Sequence, residues 1–125
     1  DGGGVLLDDC QDCAITGNIL TGLACGDDAR GGAITLTRCS GIAVSDCQIV
    51  SPIHRGVYVE SGTRCRIANN TIISRREGTV MKTGVEIAGE SRDNLVQHNL
   101  IQAGSAGGVV CDEGHGVVLN NTITA

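Results

Sequence analysis

One pattern limits what this chain can fold into more than any other: it repeats five times. Aligned on a short polar turn, each segment begins with an apolar residue: Ile15, Val44, Ile67, Val96 or Val118. The first turn position then holds Gly17, Asp46, Asn69, His98 and Asn120, and the second holds Asn18, Cys47, Asn70, Asn99 and Asn121. An apolar residue closes each segment: Leu20, Ile49, Ile72, Ile101 or Ile123. Successive second-column residues stand 29, 23, 29 and 22 positions apart. Each unit also opens on a strand-like stretch, at 4–7, 33–36, 56–59, 84–87 and 108–111. Such self-similarity marks a solenoid, in which each unit buries its apolar face against the next.

The two turn columns have a physical meaning. The first contains only Gly, Asp, Asn and His, the residue types that best tolerate a left-handed backbone. It is predicted to be the hinge of a tight turn between two strands. The second is Asn in four of five units. A side-chain amide there can bond the backbone of its turn and the amide one rung away, at the roughly 4.8 Å spacing of a sheet. A buried Asn without such partners would be costly. The sequence therefore predicts Asn18, Asn70, Asn99 and Asn121 in one internal row with Cys47 in the gap. The Asn-Asn-Thr triplets at 69 and 120 are formal glycosylation acceptors, but their ladder positions make them structural.

Composition agrees with a narrow interior. The chain has 125 residues with no Trp, no Phe and one Tyr, Tyr58. Ile and Val together number 24 against 8 Leu. A sandwich or bundle of this size would normally fill its centre with aromatics, whereas β-branched residues in layers suit strands. The formal charge of −5 and the lack of any basic run argue against nucleic acid. No apolar stretch approaches the length that spans a bilayer. The chain opens on Asp-Gly-Gly-Gly without Met or a signal peptide. It is expected to be one domain, 1–125, that is a mature product, an excised fragment or part of a longer solenoid. No cap is evident at either end, so flanking coils or head-to-tail self-association are expected to cover both.

Two solenoids use an Asn ladder. Residues 67–72, Ile-Ala-Asn-Asn-Thr-Ile, fit the core of a leucine-rich repeat, but that repeat is Leu-rich and follows its ladder with a convex segment. Here the rest of each unit is another alternating strand, then Gly and a polar loop. Over essentially all 125 residues the chain resembles the right-handed parallel β-helix repeat family, the pectate-lyase-like superfamily. The resemblance implies an all-β, single-stranded parallel β-helix of about five coils. In the coil of residues 56–83, strands are expected at 57–60, 65–68 and 71–74, with Val57, Val59, Cys65, Ile67 and Ile72 inside. It also implies a secreted, cell-surface or periplasmic location.

Seven cysteines are many. Cys13, Cys47, Cys65 and Cys111 fall at inward or ladder positions and read as small buried hydrophobes. Cys10 and Cys39 share a column on neighbouring coils, at a spacing compatible with a disulfide, but stacked free thiols are the expected state. The Cys10–Cys13 motif points its two thiols to opposite strand faces, and no second pair completes a zinc set. His98 reads as a turn residue and His115 as a solvated one.

In pectate-lyase-like proteins, sugar chains bind along the outward face of the first strand and the adjoining loops. The outward rows of that strand here are Leu6, Thr35, Tyr58, Glu86, Val110 and Asp8, Thr37, Glu60, Ala88, Asp112. The adjoining loops carry Asp27, Asp28, Arg30, His54, Arg55, Arg75, Arg76, Glu77 and Lys82. A solvated edge of compensating charges is one account of this set. The resemblance implies another: lyases and epimerases that remove the C5 proton of a uronic acid need a cation for the carboxylate and a base. Under that account Tyr58 or His54 moves the proton and Arg55 or Arg75 pairs with the carboxylate. Arg76 and Lys82 bind substrate, and Glu60 and Glu86 bind substrate or hold Ca²⁺. No complete family motif is present. Two functions therefore stay open: a carbohydrate-active module for an acidic polysaccharide, and a structural or interaction solenoid that stacks end-to-end. The single candidate stacking aromatic and the short stack of coils favour the second; the clustered His, Arg, Tyr and Glu favour the first.

Overall fold

The computed structural model describes residues 4–22, 31–75, 81–102, 105–112 and 116–124. The described residues form fifteen short strands, all paired in parallel, and no helix. The chain visits three sheets in strict rotation. The first contains β1 (Val5–Asp8), β4 (Ile34–Thr37), β7 (His54–Glu60), β10 (Met81–Ala88) and β13 (Gly107–Cys111). The second contains β2 (Ala14–Thr16), β5 (Ala43–Ser45), β8 (Arg66–Ala68), β11 (Asn94–Gln97) and β14 (Gly116–Leu119). The third contains β3 (Ile19–Thr21), β6 (Gln48–Val50), β9 (Thr71–Ile73), β12 (Leu100–Gln102) and β15 (Thr122–Thr124). This is a parallel β-helix; the convex helices of a leucine-rich repeat are absent among the described residues.

Alternation along each strand sends one set of side chains into the space between the sheets. Ile34, Leu36, Val57, Val59, Val85 and Ile87 enter from the first sheet, Val44, Ile67 and Val96 from the second, and Ile49, Ile72 and Ile101 from the third; all are fully buried. Burial of each such side chain contributes about 1.5–3 kcal/mol, and one more rung adds another layer. The interior is narrow enough to dictate glycine at one position of the first sheet. A Cβ on Gly84 would lie 2.4 Å from Ile101 Cγ2, and one on Gly56 would lie 2.6 Å from Ile72 Cγ2. The isoleucine of the third sheet thus occupies the volume that a side chain there would need.

The corner between the second and third sheets has two residues in every coil, and the first is left-handed throughout: Gly17 (φ 69°), Asp46 (55°), Asn69 (57°), His98 (53°) and Asn120 (53°). His98 is therefore the turn residue expected. Asn70, Asn99 and Asn121 follow in a continuous ladder. Asn99 Oδ1 accepts from both Asn70 N and Asn70 Nδ2 at 3.0 Å, and Asn121 Oδ1 accepts from Asn99 N at 2.9 Å and Asn99 Nδ2 at 3.0 Å. Each amide also donates to a carbonyl on the preceding rung: Val44, Ile67 or Val96, all at 3.0 Å. At Cys47 the ladder stops. The Cys47 amide N–H still donates to Asn70 Oδ1 at 3.0 Å, and the thiol lies 3.7 Å from the Ile15 carbonyl, the place of the missing amide. A thiol offers no strong acceptor, and the exposed Asn18, on the end rung, turns its side-chain amide to Thr16 O at 3.1 Å. The expected row of four is corrected to three.

The corner between the first and second sheets is nearly as regular. Five residues separate Asp8 from Ala14, Thr37 from Ala43 and Glu60 from Arg66; in the next coil, where Leu95 is the partner of Arg66, six separate Ala88 from Leu95. Left-handed residues flank each of these turns: Asp9, Arg38, Ser61 and Gly89 on entry, Asp12, Gly41, Arg64 and Asp93 on exit. Between them runs a line of single bridges, Gln11–Ser40–Thr63–Arg92. Asn94 serves this corner as the ladder serves the other: its Oδ1 accepts from Cys65 N at 2.9 Å and its Nδ2 donates to Gly62 O at 3.0 Å. The third corner varies most. Three residues separate Val50 from His54, and seven separate Ile73 from Met81.

The cysteines divide by rung. Cys47 and Cys65 are buried as expected, and Cys39 is buried as well. Cys13 and Cys111 occupy the inward columns but are exposed, which corrects their reading as buried hydrophobes. Both stand on end rungs, which have a neighbouring rung on one side only. All six described cysteines are free thiols. Cys25 and His115 lie outside the described residues.

Candidate functional site

The outward row of the first sheet is in register from end to end: Leu6 against Thr35, Thr35 against Tyr58, Tyr58 against Glu86, Glu86 against Val110. In the second row Asp8 pairs with Thr37, Thr37 with Glu60, and Glu60 with Ala88. Glu60 is half-buried. Outward direction does not mean exposure. Leu6 is 68% exposed, but Tyr58 is 2% exposed. The phenol expected to move a proton is therefore a buried group. One reason is the Arg55 guanidinium, whose central carbon lies 5.2 Å from the Tyr58 ring centroid, within cation–π range.

Arg55 is held from two sides. Besides resting over the ring, its Nε donates to Glu86 Oε2 at 2.6 Å, and Thr83 Oγ1 donates to the same oxygen at 3.2 Å. Both ionic side chains are mostly covered, at 20% and 16% exposure. A charge-assisted bond in that setting is stronger than a rim pair, and it fixes the guanidinium over the ring. Thr83, Glu86, Arg55 and Tyr58 thus form one chain of contacts across β7 and β10. The expected Ca²⁺ ligand Glu86 is already engaged by a guanidinium. Among the described residues no three His, Cys, Asp or Glu side chains gather closely enough to hold a metal ion.

Two backbone irregularities aim the remaining charged groups. Arg55 N–H donates back to Ile53 O at 3.1 Å, with His54 between them at φ 76°. That is the rare, strained form of the γ-turn. Left-handed backbone in a residue other than Gly costs on the order of 1–3 kcal/mol and recurs at functional sites. On the neighbouring strand, Met81 pairs with His54 and Thr83 with Arg55, so Lys82 is the extra residue of a bulge. Lys82 is exposed. Arg75, also exposed, follows β9, and its N–H donates to Ser51 Oγ at 3.0 Å, which anchors it beside the segment leading to His54.

The corner from the third sheet into the first therefore brings together His54, Arg55, Arg75 and Lys82. Arg76, Glu77, Asp27, Asp28 and Arg30 lie outside the described residues. Sequence reasoning missed Thr83, whose hydroxyl fixes the Glu86 carboxylate, and missed the γ-turn and the bulge. It also missed a shallow recess of about 250 Å³ on the outer face of the second sheet, lined by Ala43, Ser45, Asp46, Arg66, Ala68 and Asn69. The small side chains Ala43, Ser45 and Ala68 leave that space; their succession on adjacent rungs was the available signal.

The family described as "Right handed beta helix region" matches residues 1–125. No curated protein and no solved structure matches the chain.

Proposed function

Because the chain belongs to the right-handed β-helix family, we propose that it is a β-helix module of carbohydrate-active, pectate-lyase-like type that binds an acidic polysaccharide at the corner between its third and first sheets. The observation that carries this reading is the convergence of Arg55, Arg75, Lys82 and His54 at the middle rungs of a chain whose formal charge is −5. A uronate chain offers regularly spaced carboxylates, and guanidinium and ammonium groups are the side chains that pair with them. The strained backbone at His54 supports the same reading. Arg55 braces the site over Tyr58, while Lys82 and Arg75 meet the ligand.

The test is retention on immobilised uronate polymers, with and without Ca²⁺, together with the ultraviolet absorbance of unsaturated ends. Binding without absorbance is expected. Lys82→Ala and Arg75→Ala together should abolish retention and leave unfolding unchanged, because both side chains are exposed. Retention unchanged in that variant, or absent in the wild type, would refute the reading. Absorbance that rises with time would turn the proposal from a binding module to a lyase.

A second reading, an interaction solenoid that stacks end-to-end, rests on a different observation. The inward-facing Val118 and Ile123 of the last rung are 44% and 46% exposed, so that rung offers apolar surface and strand edges to a further coil, from the same chain or another copy. Sedimentation across a concentration series tests association of copies; a single non-associating species would remove it.

A further inference from the structure

We propose that Cys10 and Cys39 form a reversible disulfide that staples the first rung to the second. The register puts the two residues face to face. Asp8 pairs with Thr37 on one side and Gln11 bridges Ser40 on the other, so Cys10 stands directly beside Cys39. Neighbouring rungs are roughly 4.8 Å apart, inside the about 4.4–6.8 Å range of Cα separations that a disulfide spans. The thiols are oriented alike: Cys10 Sγ lies 3.4 Å from Asp8 O and Cys39 Sγ lies 3.3 Å from Thr37 O. Cys39 Sγ also lies 3.4 Å from Leu7 O. It therefore leans across the gap toward the rung that carries Cys10. Cys13 and Cys65 are separated in their own column by Ile42, so that pair has no direct neighbour. Cys10 is half-exposed and Cys39 is buried, which assigns the attacking and resolving parts.

The co-reactant is a small disulfide such as oxidised glutathione. The Cys10 thiolate attacks one of its sulfurs, the S–S bond breaks, and one glutathione thiolate leaves. The Cys39 thiolate then attacks the Cys10 sulfur of the mixed disulfide and expels the second glutathione. The two protein thiols are oxidised, one small disulfide is reduced to two thiols, and the thiol protons pass through solvent to the leaving thiolates. Parallel in-register Cβ atoms stand farther apart than the about 3.8 Å a relaxed disulfide prefers. The bond is therefore strained and easily reduced, as labile disulfides are.

The test is oxidised glutathione added to the reduced full chain at mildly alkaline pH, read by intact mass after alkylation. A loss of two hydrogens with two fewer alkylated thiols is expected, reversed by excess reduced glutathione. Amide exchange in Ala14–Thr16 should slow in the oxidised form. Cys10→Ala, on an end rung where substitution is tolerated, should abolish the change; Cys13→Ala should leave it intact. Stable glutathionylation without closure, a disulfide that survives Cys10→Ala, or covalent dimers only would each overturn the proposal.

Discussion

Replacing Asn70 by alanine isolates the energy of the ladder, because the same column provides its own control at Asn18. Asn70 is buried. Its Oδ1 accepts from Cys47 N, and its Nδ2 donates to Val44 O and Asn99 Oδ1, all at 3.0 Å. Truncation leaves the Cys47 N–H without an acceptor inside the protein, at about 1–3 kcal/mol, and removes two further bonds worth about 0.5–1.5 kcal/mol each. Asn99 Oδ1 keeps the Asn70 N–H, which limits the damage on that side. We expect Asn70→Ala to cost about 2–4 kcal/mol. Asn18→Ala removes one exposed bond and should cost no more than about 0.5 kcal/mol, as surface substitutions do. Urea unfolding followed by far-ultraviolet circular dichroism measures both, as shifts in midpoint at constant slope. Equal losses in the two variants, or a loss below about 1 kcal/mol at Asn70, would refute the argument that satisfaction of buried backbone groups, not Asn itself, holds this corner.

Three further outcomes follow from the same geometry. Cys47→Asn should extend the ladder to the first rung by donating to Ile15 O and accepting from Asn18 N–H, stabilising by about 0.5–1.5 kcal/mol in the same unfolding assay. Gly84→Ala should destabilise by about 1–3 kcal/mol through overpacking against Ile101, also read by urea midpoint. Burial pushes the Cys39 and Cys65 thiols above the ordinary thiol range. A folded pKa above the unfolded one means their contribution is fully present below the unfolded pKa and is lost as pH rises through the folded one. Stability should therefore fall on the alkaline side, and Cys65→Ala should make that slope shallower. A stability curve that rises through that window would contradict the assignment.

The sequence made some of this legible for a clear reason. A five-fold repeat reports register directly: residues in one column must stack, so both outward rows and the left-handed turn were readable as Gly17, Asp46, Asn69, His98 and Asn120. The other left-handed columns were not, because Arg38, Ser61 and Arg64 are not residue types that announce positive φ. Rungs on both sides impose that conformation. A column also reports direction and not exposure. Cys13 and Cys111 point inward yet meet water, whereas Tyr58 points outward yet is buried under a guanidinium. The bulge at Lys82 and the γ-turn at His54 break the repeat, and an alignment built on the repeat carries no sign of them. The candidate site was thus legible as a cluster of residue types but not as the Thr83–Glu86–Arg55–Tyr58 chain that orders it.

In each complete coil the corner between the second and third sheets keeps one length, the corner between the first and second varies by a single residue, and the large differences between the coils fall at the third. This gives the protein one seam where its text can be edited freely. An insertion in the two-residue corner would displace a rung of the Asn ladder, and the corner before it absorbs only one extra residue, between Ala88 and Leu95, with Val96 still facing inward. At the third corner a segment can grow or shrink between β9 and β10, for instance, while the strands on either side keep their partners, and lengthening a surface loop adds only slowly to its closure entropy. Duplication of a coil, followed by rewriting at that seam alone, is then a cheap evolutionary move. The cations of the proposed site gather along the same seam, so a lineage of such chains can exchange ligands without renegotiating its architecture. A library with random residues confined to that edge should stay folded across most of its members.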